Sequence, residues 1–141
     1  MLPQVDPQAR KGLFFLKGFM ILLFVYGTLK SDGAANDFME GRLLGSATTE
    51  PGFRLYTAGW YPCMVPDAGG IAVEGELWEV PRASLPNLDR HEGSGFQRTP
   101  IRLQAPHAEK SVLAYLYKGR VAGLDEVGPC WDNNGHNCNN H

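Results

Sequence analysis

The sequence predicts an α+β fold, a curled sheet or small mixed β-barrel with a few short flanking helices. Its apolar residues fall mostly in short runs with the alternation or the β-branched content of strands. Seventeen glycines and ten prolines supply turns between these runs. Only two segments carry helix signals, and 141 residues suit one domain that buries a core of its own.

Three strands are predicted from strong patterns. Ile21–Val25 is a continuous apolar run, Ile71–Val80 alternates apolar and acidic residues, and Val112–Tyr117 is β-branched and aromatic. Three weaker candidates follow: Arg42–Thr49, Phe53–Tyr56 and Gln97–Gln104. The last contains a proline, which cannot donate a ladder hydrogen bond, so we expect that strand at an edge or a bulge.

Two short helices are predicted, Ala34–Glu40 and Arg82–His91. Ser31 and Asp32 stand before the first as possible caps. The second presents two leucines at helical spacing to the core and stops before Gly93, a typical helix-ending residue.

The charge balance points to a small-molecule partner. The chain has 13 Lys and Arg against 15 Asp and Glu without a run of like charges, so we expect neither nucleic acid nor an anionic membrane as a partner. Three scattered cysteines are too few for a disulfide framework, and no Asn-x-Ser/Thr acceptor occurs. We therefore expect a reducing, cytoplasmic location.

Residues 1–19 are predicted to be an N-terminal extension, with the fold beginning at Met20. Arg10 and Lys11 precede an apolar stretch, as in a secretory signal, but Lys17 interrupts the stretch and it has no small-residue cleavage site. The apolar run after Lys17 is also far shorter than the ~20 residues that cross a bilayer. We expect neither a signal peptide nor a membrane span.

Two local motifs indicate an enzyme site. A glycine turn follows directly on the first strand, where its backbone N–H groups can meet a ligand: Tyr26-Gly27-Thr28-Leu29-Lys30. Glu92 lies at the end of the second helix, where a carboxylate held out of water can carry a proton. Taken alone, Glu92 would more often be a surface carboxylate and the turn a simple connection.

Other catalytic motifs are excluded by spacing. Gly93-Ser94-Gly95 lacks the first glycine of a nucleophile elbow and has Arg98 at the third glycine position of a dinucleotide fingerprint. His91 lacks a second histidine four residues later, so it is interpreted as a solvated residue at a helix end rather than a zinc ligand.

Together, several motifs resemble gamma-glutamylcyclotransferase-like proteins, including the gamma-glutamylamine cyclotransferase-like members. They follow in the family's order over roughly residues 20–119: Phe24–Lys30, Tyr61-Pro62 with Val65-Pro66, Val73–Val80, Leu88-Asp89 with Glu92-Gly93 and Arg98, and Ala114–Tyr117. The resemblance implies a small mixed β-barrel with flanking helices, a cavity at one barrel end, and Glu92 inside that cavity.

The implied reaction converts a gamma-glutamyl amine or amide into 5-oxoproline and a free amine. The α-amine of the substrate attacks its own γ-carbonyl, so the enzyme needs no nucleophile and no cofactor. One carboxylate, Glu92, would serve as general base and then as general acid. The predicted substrate-binding residues are the turn residues Tyr26, Gly27, Thr28 and Leu29, together with Tyr61 and Tyr115. Glu76 is the alternative acid.

Three functional hypotheses stay open from the sequence. The first is a cyclotransferase whose leaving group is an amino acid, a polyamine or the ε-amine of an isopeptide-linked lysine. The second is a non-catalytic binding module with the same cavity. The third is an acyl transferase with Cys63 as a thiolate nucleophile, although no histidine lies near Cys63 in the sequence.

Two positions bear on substrate choice. Many relatives have a tyrosine where this chain has Phe96, so a hydroxyl that could bind substrate is missing. Arg98 could clamp a carboxylate, but an ion pair with Asp89 is at least as common for an arginine in such a place.

Residues 120–141 are predicted to be a flexible C-terminal tail. The last twelve residues include two cysteines and two histidines, which are zinc ligand types, but their spacing matches no standard zinc finger and Asn and Gly dominate. We expect no metal site there.

Overall fold

A computed structural model describes residues 19–132 of the protein. Within them lie eight strands, one α-helix and two single 3-10 turns. The strands are β1 (Met20–Val25), β2 (Arg42–Thr48), β3 (Phe53–Thr57), β4 (Pro62–Pro66), β5 (Glu74–Pro81), β6 (Phe96–Ile101), β7 (Val112–Tyr117) and β8 (Asp125–Glu126). The helix α1 spans Leu85–Glu92, and the 3-10 turns span Asn36–Phe38 and Arg82–Ser84.

The strands form two sheets rather than a closed barrel. The larger sheet has the order β2-β5-β1-β7-β6, in which β1 and β7 are parallel and all other neighbours antiparallel. The smaller has the order β4-β3-β8, and its β4 packs against β7 without joining that ladder. The α+β class with curled, mixed sheets is confirmed. Of the two forms expected, a curled sheet or a small barrel, the described residues show the sheets, and no closed barrel forms among them because no ladder joins the two sheets.

The core explains why β1 reads as a continuous apolar run. Phe24 belongs to one buried cluster and its neighbours Leu23 and Val25 to another, so the central strand is covered on both faces. Leu85 and Leu88 of α1 pack into the second cluster, as the helical spacing predicted. The helix ends at Gly93, whose φ of 83° is a conformation that glycine adopts readily.

The predicted strands are confirmed at β1, β5 and β7 and, with shifted ends, at β2, β3 and β6. The helix predicted over Ala34–Glu40 is wrong, since only the 3-10 turn Asn36–Phe38 forms there. The chain is held in that turn by local bonds, including one from the Asn36 side-chain amide to the Leu29 carbonyl. Sequence reasoning also missed β4, which begins and ends with proline and lies at a sheet edge.

The segment Asp125–Trp131 is packed onto the sheets, in contrast to the flexible tail expected from residue 120. β8 pairs with β3, and Trp131 is only 1% exposed in the larger core cluster. The ammonium of Lys30, itself buried, donates a hydrogen bond of 2.8 Å to the carbonyl of Trp131. Residues 1–18 of the predicted extension 1–19 lie outside the described residues, as do residues 133–141, which include most of the Cys- and His-containing stretch.

None of the helices within residues 19–132 has the length and apolar character needed to cross a bilayer. The single α-helix among them has eight residues.

Trp131 and Trp60, which differ in burial, provide a test of this packing. Trp131→Ala should lower the free energy of unfolding by about 3–5 kcal/mol, because it empties a large volume from the core. Trp60→Ala is the matched control, since Trp60 is 74% exposed and its loss should change stability by less than about 0.5 kcal/mol. Urea unfolding measures both, and similar losses would contradict the packing of residues 125–131.

Candidate active site

A cavity of about 400 Å³ opens where β1 and α1 end and β6 begins. The parallel pairing of β1 and β7 brings the carboxyl ends of both strands to this edge of the larger sheet. The predicted catalytic residue and the six predicted substrate-binding residues all line this cavity: Glu92, Tyr26, Gly27, Thr28, Leu29, Tyr61 and Tyr115.

The turn after β1 offers backbone donors to the cavity. Its own hydrogen bonds run from the Lys30 N–H to the Gly27 carbonyl and from the Ala35 N–H to the Thr28 carbonyl, at 3.0 and 2.8 Å. Among the described residues, the N–H groups of Gly27, Thr28 and Leu29 donate none of the turn's hydrogen bonds. Three consecutive residues that line the cavity thus have N–H groups outside the turn's own hydrogen bonds, an arrangement suited to an anionic group.

Glu76 holds this turn in place from the neighbouring strand β5. Its carboxylate accepts hydrogen bonds from the Ser31 N–H at 2.7 Å, from the Ser31 hydroxyl at 2.6 Å and from the Trp78 indole at 3.0 Å. It does not line the cavity. The alternative acid of the sequence analysis is thus a structural acceptor.

Gly27 is required by a close contact between the two sheets. A Cβ atom at this position would lie 2.5 Å from Cγ and 2.7 Å from Cδ of Pro62, the first residue of β4. The φ angle of Gly27 is not positive, so space rather than backbone conformation demands glycine. The turn and β4 therefore meet at the cavity wall.

Glu92, the last residue of α1, brings an unusual carboxyl group to the cavity. Burial raises its pKa from the usual 4.5 to about 7, because the surroundings stabilise the ionised form less well than water does. Among the described residues it has no ion-pair or hydrogen-bond partner. Near neutral pH such a group can both accept and donate a proton.

Asp89, one helical turn before Glu92, is held in its ionised form, because its pKa is lowered rather than raised. The Arg98 guanidinium donates two hydrogen bonds to it, at 2.9 and 3.0 Å, and the Tyr115 hydroxyl donates a third at 2.6 Å. These bonds lower the pKa of Asp89, and the first cause is Arg98. Of the two interpretations left open for Arg98, the geometry supports the ion pair.

The hydroxyls of Tyr26 and Tyr115 are engaged within the protein. Tyr26 donates to the Tyr115 carbonyl at 2.6 Å and accepts from the Met64 N–H at 3.3 Å. Tyr115 donates to Asp89. Both tyrosines present ring surface to the cavity, whereas their hydroxyls fix β7 to α1 and to β4.

His91 also lines the cavity, which sequence reasoning missed. It is partly buried, its ring stacks on Phe38 at a centroid distance of 4.1 Å, and burial lowers its pKa. The prediction of a solvated histidine is therefore wrong. Phe38 comes from the distant 3-10 turn, so no local pattern announces this contact.

Four aromatic residues form the outer part of the cavity, and we call them the aromatic wall: Trp60, Tyr61, Phe96 and Tyr117. Consecutive ring centroids are 5.0, 6.2 and 5.4 Å apart, in edge-on or tilted arrangements. Tyr117 and Tyr115 lie on the same side of β7, as their alternation predicted.

Cys63 lies beside the site but not in it. The thiol is fully buried within β4, and burial, followed by the charge of Glu92, raises its pKa to about 11. A thiol in this state stays protonated at neutral pH and is a poor nucleophile. The thiolate hypothesis loses its chemical basis.

Metal-binding groups are sparse around the cavity. Within residues 19–132, no group of three or more His, Cys, Asp or Glu side chains is arranged to hold a metal ion. His91 and Glu92 are the cavity-lining side chains of these types.

Sequence comparison agrees with this geometry. The profile of the family described as "Gamma-glutamyl cyclotransferase, AIG2-like" matches residues 23–133. The chain belongs to this family. The match extends past residue 119 and includes the packed segment Asp125–Trp131. Membership suggests cyclotransferase activity on a small-molecule substrate.

Relatives support the assignment at the level of family and fold. The chain is 32% identical to the gamma-glutamylcyclotransferase family protein YtfP of Escherichia coli K12 over 103 residues, which cover 72% of this chain and 87% of that protein. A crystal structure of an AIG2-like protein from Mus musculus matches with a TM-score of 0.66 and 28% identity, covering 81% of this chain and 89% of that one. A uropathogenic E. coli-specific protein, c4763, also gives a TM-score of 0.66 at 28% identity, covering 77% and 87%.

The contact between Gly27 and Pro62 can be tested by a double-mutant cycle. Gly27→Ala should cost about 1–3 kcal/mol of stability through overpacking against the proline ring. Pro62→Ala removes the two clashing atoms, so the double variant should be more stable than the sum of the single effects predicts. Denaturant unfolding of the four proteins measures the coupling, and strict additivity would disprove the contact.

Proposed function

We propose that the protein is a gamma-glutamyl cyclotransferase that releases 5-oxoproline and a free amine from a gamma-glutamyl amine or amide. One observation carries the proposal. The cavity is lined by a partly buried carboxyl, Glu92, which has no ionic partner among the described residues and a pKa raised to about 7, and by a turn with three backbone donors.

The reaction needs one proton carrier and a folded substrate. The α-ammonium of the glutamyl group gives a proton to the Glu92 carboxylate, and the freed amine attacks the γ-carbonyl carbon. A C–N bond of the five-membered ring forms, and the tetrahedral oxygen takes the negative charge. When the original amide C–N bond breaks, Glu92 gives its proton to the departing nitrogen. The ring nitrogen still carries a second proton, which the carboxylate of Glu92 then takes to leave the neutral lactam of 5-oxoproline. That proton passes to the released amine, which departs as an ammonium, so protons and atoms balance without an enzyme nucleophile.

The turn at Gly27–Leu29 supplies the complementary charge. Its N–H groups can bind either the α-carboxylate or the developing oxyanion of the substrate, because both need donors in a site with little water. No lysine or arginine of the described part of the chain lines the cavity, so backbone dipoles take the role of a cationic clamp. Arg98 donates to Asp89, which also accepts a hydrogen bond from the Tyr115 hydroxyl, so Arg98 is part of the scaffold rather than a substrate clamp.

Glu92→Gln tests the proton carrier. Turnover should fall by at least about 10²-fold with little change in KM, since the amide keeps the shape but cannot exchange the proton. Release of 5-oxoproline from a panel of gamma-glutamyl amides measures this. Glu74→Gln, which changes an exposed carboxylate of β5 that does not line the cavity, should leave turnover unchanged.

The pH profile follows from the raised pKa of Glu92. The first step needs the ionised carboxylate, so kcat/KM should rise with pH through about 7 and fall off below it. A rise centred near 4.5 would mean that Glu92 is solvated during catalysis, and an active Glu92→Gln variant would remove the mechanism. If no gamma-glutamyl amide yields 5-oxoproline, the non-catalytic binding module is the better description.

Cys63 separates the cyclotransferase from a thiolate enzyme. Because Cys63 is buried and its pKa is raised, Cys63→Ala should keep most of the activity and lose only packing. Intact-mass spectrometry during turnover should find unmodified protein. A substrate-sized adduct that disappears in Cys63→Ala would favour acyl transfer through the thiol instead.

A further inference from the structure

The aromatic wall surrounds the part of the cavity that a gamma-glutamyl group would leave empty. If the glutamyl carboxylate takes the N–H donors of Gly27–Leu29 and its γ-carbonyl lies near Glu92, the departing amine must extend along the remaining lining. That lining is dominated by the four rings of Trp60, Tyr61, Phe96 and Tyr117.

Trp60 is the unusual member of this wall. Its side chain is 74% exposed, although tryptophan is on average one of the more buried residue types. Its ring meets Tyr61 edge-on at 5.0 Å and 81°, which leaves much of the indole free to contact a ligand. An exposed aromatic surface at the mouth of a cavity is suited to a flat apolar group.

The charges of the cavity lining argue against leaving groups with a carboxylate. Among residues 19–132, no lysine or arginine lines it, and the pKa of His91 is lowered by burial, so His91 is neutral at physiological pH. The carboxylate of an amino-acid leaving group would be partly desolvated there without a cation, which is costly.

The same lining argues against a second ammonium. Within the described residues, Glu92 is the one acidic side chain that lines the cavity, and the proposed reaction already uses it for proton transfer. A diamine leaving group would place its distal cation among aromatic rings without a carboxylate to pair with. Ring faces can attract a cation, but these four rings meet edge-on or tilted and partly cover one another.

We infer that the amine released in the proposed reaction is an arylalkylamine, with a flat apolar body and neither a carboxylate nor a second amine. This inference rests on the proposed function and deepens it by naming the class of leaving group. The aromatic wall is then a specificity-determining surface, with Trp60 as its outermost part.

A matched pair of substrates tests the missing cation. γ-Glutamylphenethylamide and γ-glutamylphenylalanine differ only in the carboxylate of the leaving group. We expect kcat/KM for the phenethylamide to be at least about tenfold higher. A tenfold ratio corresponds to about 1.4 kcal/mol, the least that burying one unpaired carboxylate should cost. γ-Glutamylputrescine and γ-glutamylbutylamide complete the series, and we expect kcat/KM for both to be lower than for the phenethylamide.

Variants then test the wall itself. Trp60→Ala should reduce kcat/KM for the phenethylamide by up to about tenfold, the range of one aromatic contact, and reduce it for the butylamide much less. Leu44→Ala is the control, because Leu44 is a similarly exposed apolar side chain on β2 that does not line the cavity. Leu44→Ala should leave the ratio of kcat/KM for the phenethylamide to kcat/KM for the butylamide unchanged.

The outcomes separate this inference from the proposed function. Similar rates for all four substrates, or a preference for phenylalanine or putrescine as leaving group, would overturn the arylalkylamine inference and keep the cyclotransferase. Release of 5-oxoproline from none of them would overturn both. If the preference for the phenethylamide is unchanged in Trp60→Ala, Trp60 does not contact the leaving group and the inference as stated is overturned.

Discussion

The burial of β1 on both faces is the constraint on which the site depends. Because Leu23, Phe24 and Val25 are all in the core, the strand cannot shift by one residue without exposing part of one cluster or the other. Its register fixes where the chain leaves the sheet, and that point is the turn at Gly27. The parallel neighbour β7 ends at the same edge, and antiparallel β6 begins there, so Phe96 lies opposite Tyr117. Topology alone thus gathers the turn, the aromatic wall and the end of α1.

Two carboxylates of α1 show how environment divides roles. Asp89 gains a bidentate arginine and a tyrosine hydroxyl and stays ionised. Glu92 is partly buried without a counter-ion among the described residues, and this burial raises its pKa from 4.5 to about 7, so ionising it in place is costly. A reactive group with such a cost is what a proton-transfer site requires.

The sequence predicts what is local and misses what depends on distant partners. The runs Ile21–Val25 and Val112–Tyr117 carry enough hydrophobicity and β-propensity to be recognised as strands. The position of Glu92 after two core leucines predicted its place at a helix end. In contrast, β4 is masked by Pro62 and Pro66, because only its edge position makes prolines acceptable.

The same distinction applies within the site. Membership of the cavity could be predicted for Tyr26 and Tyr115, but not that their hydroxyls would be used inside the protein, since the acceptors come from other strands and from α1. The stacking of His91 on Phe38 and the burial of Cys63 likewise depend on elements far away in the sequence. Gly27 is the instructive case. Glycine in a turn suggests an unusual φ, whereas the structure demands it because Pro62 occupies the space.

The smaller sheet therefore does more than cover a core face. It reaches the turn at Gly27 through Pro62 and contacts Tyr26 through the Met64 N–H. It continues through β8 to Trp131, whose carbonyl accepts a hydrogen bond from the buried Lys30 ammonium. Lys30 is part of the turn, so the smaller sheet and the segment after β8 contact the turn at two points, Gly27 and Lys30. A chain of packed and hydrogen-bonded residues of this kind holds donors with little freedom to move, and preorganised donors stabilise developing charge better than mobile ones. We therefore expect substitutions in Asp125–Trp131, which do not line the cavity, to change the position of the turn, and substitutions in the aromatic wall to change the cavity lining itself.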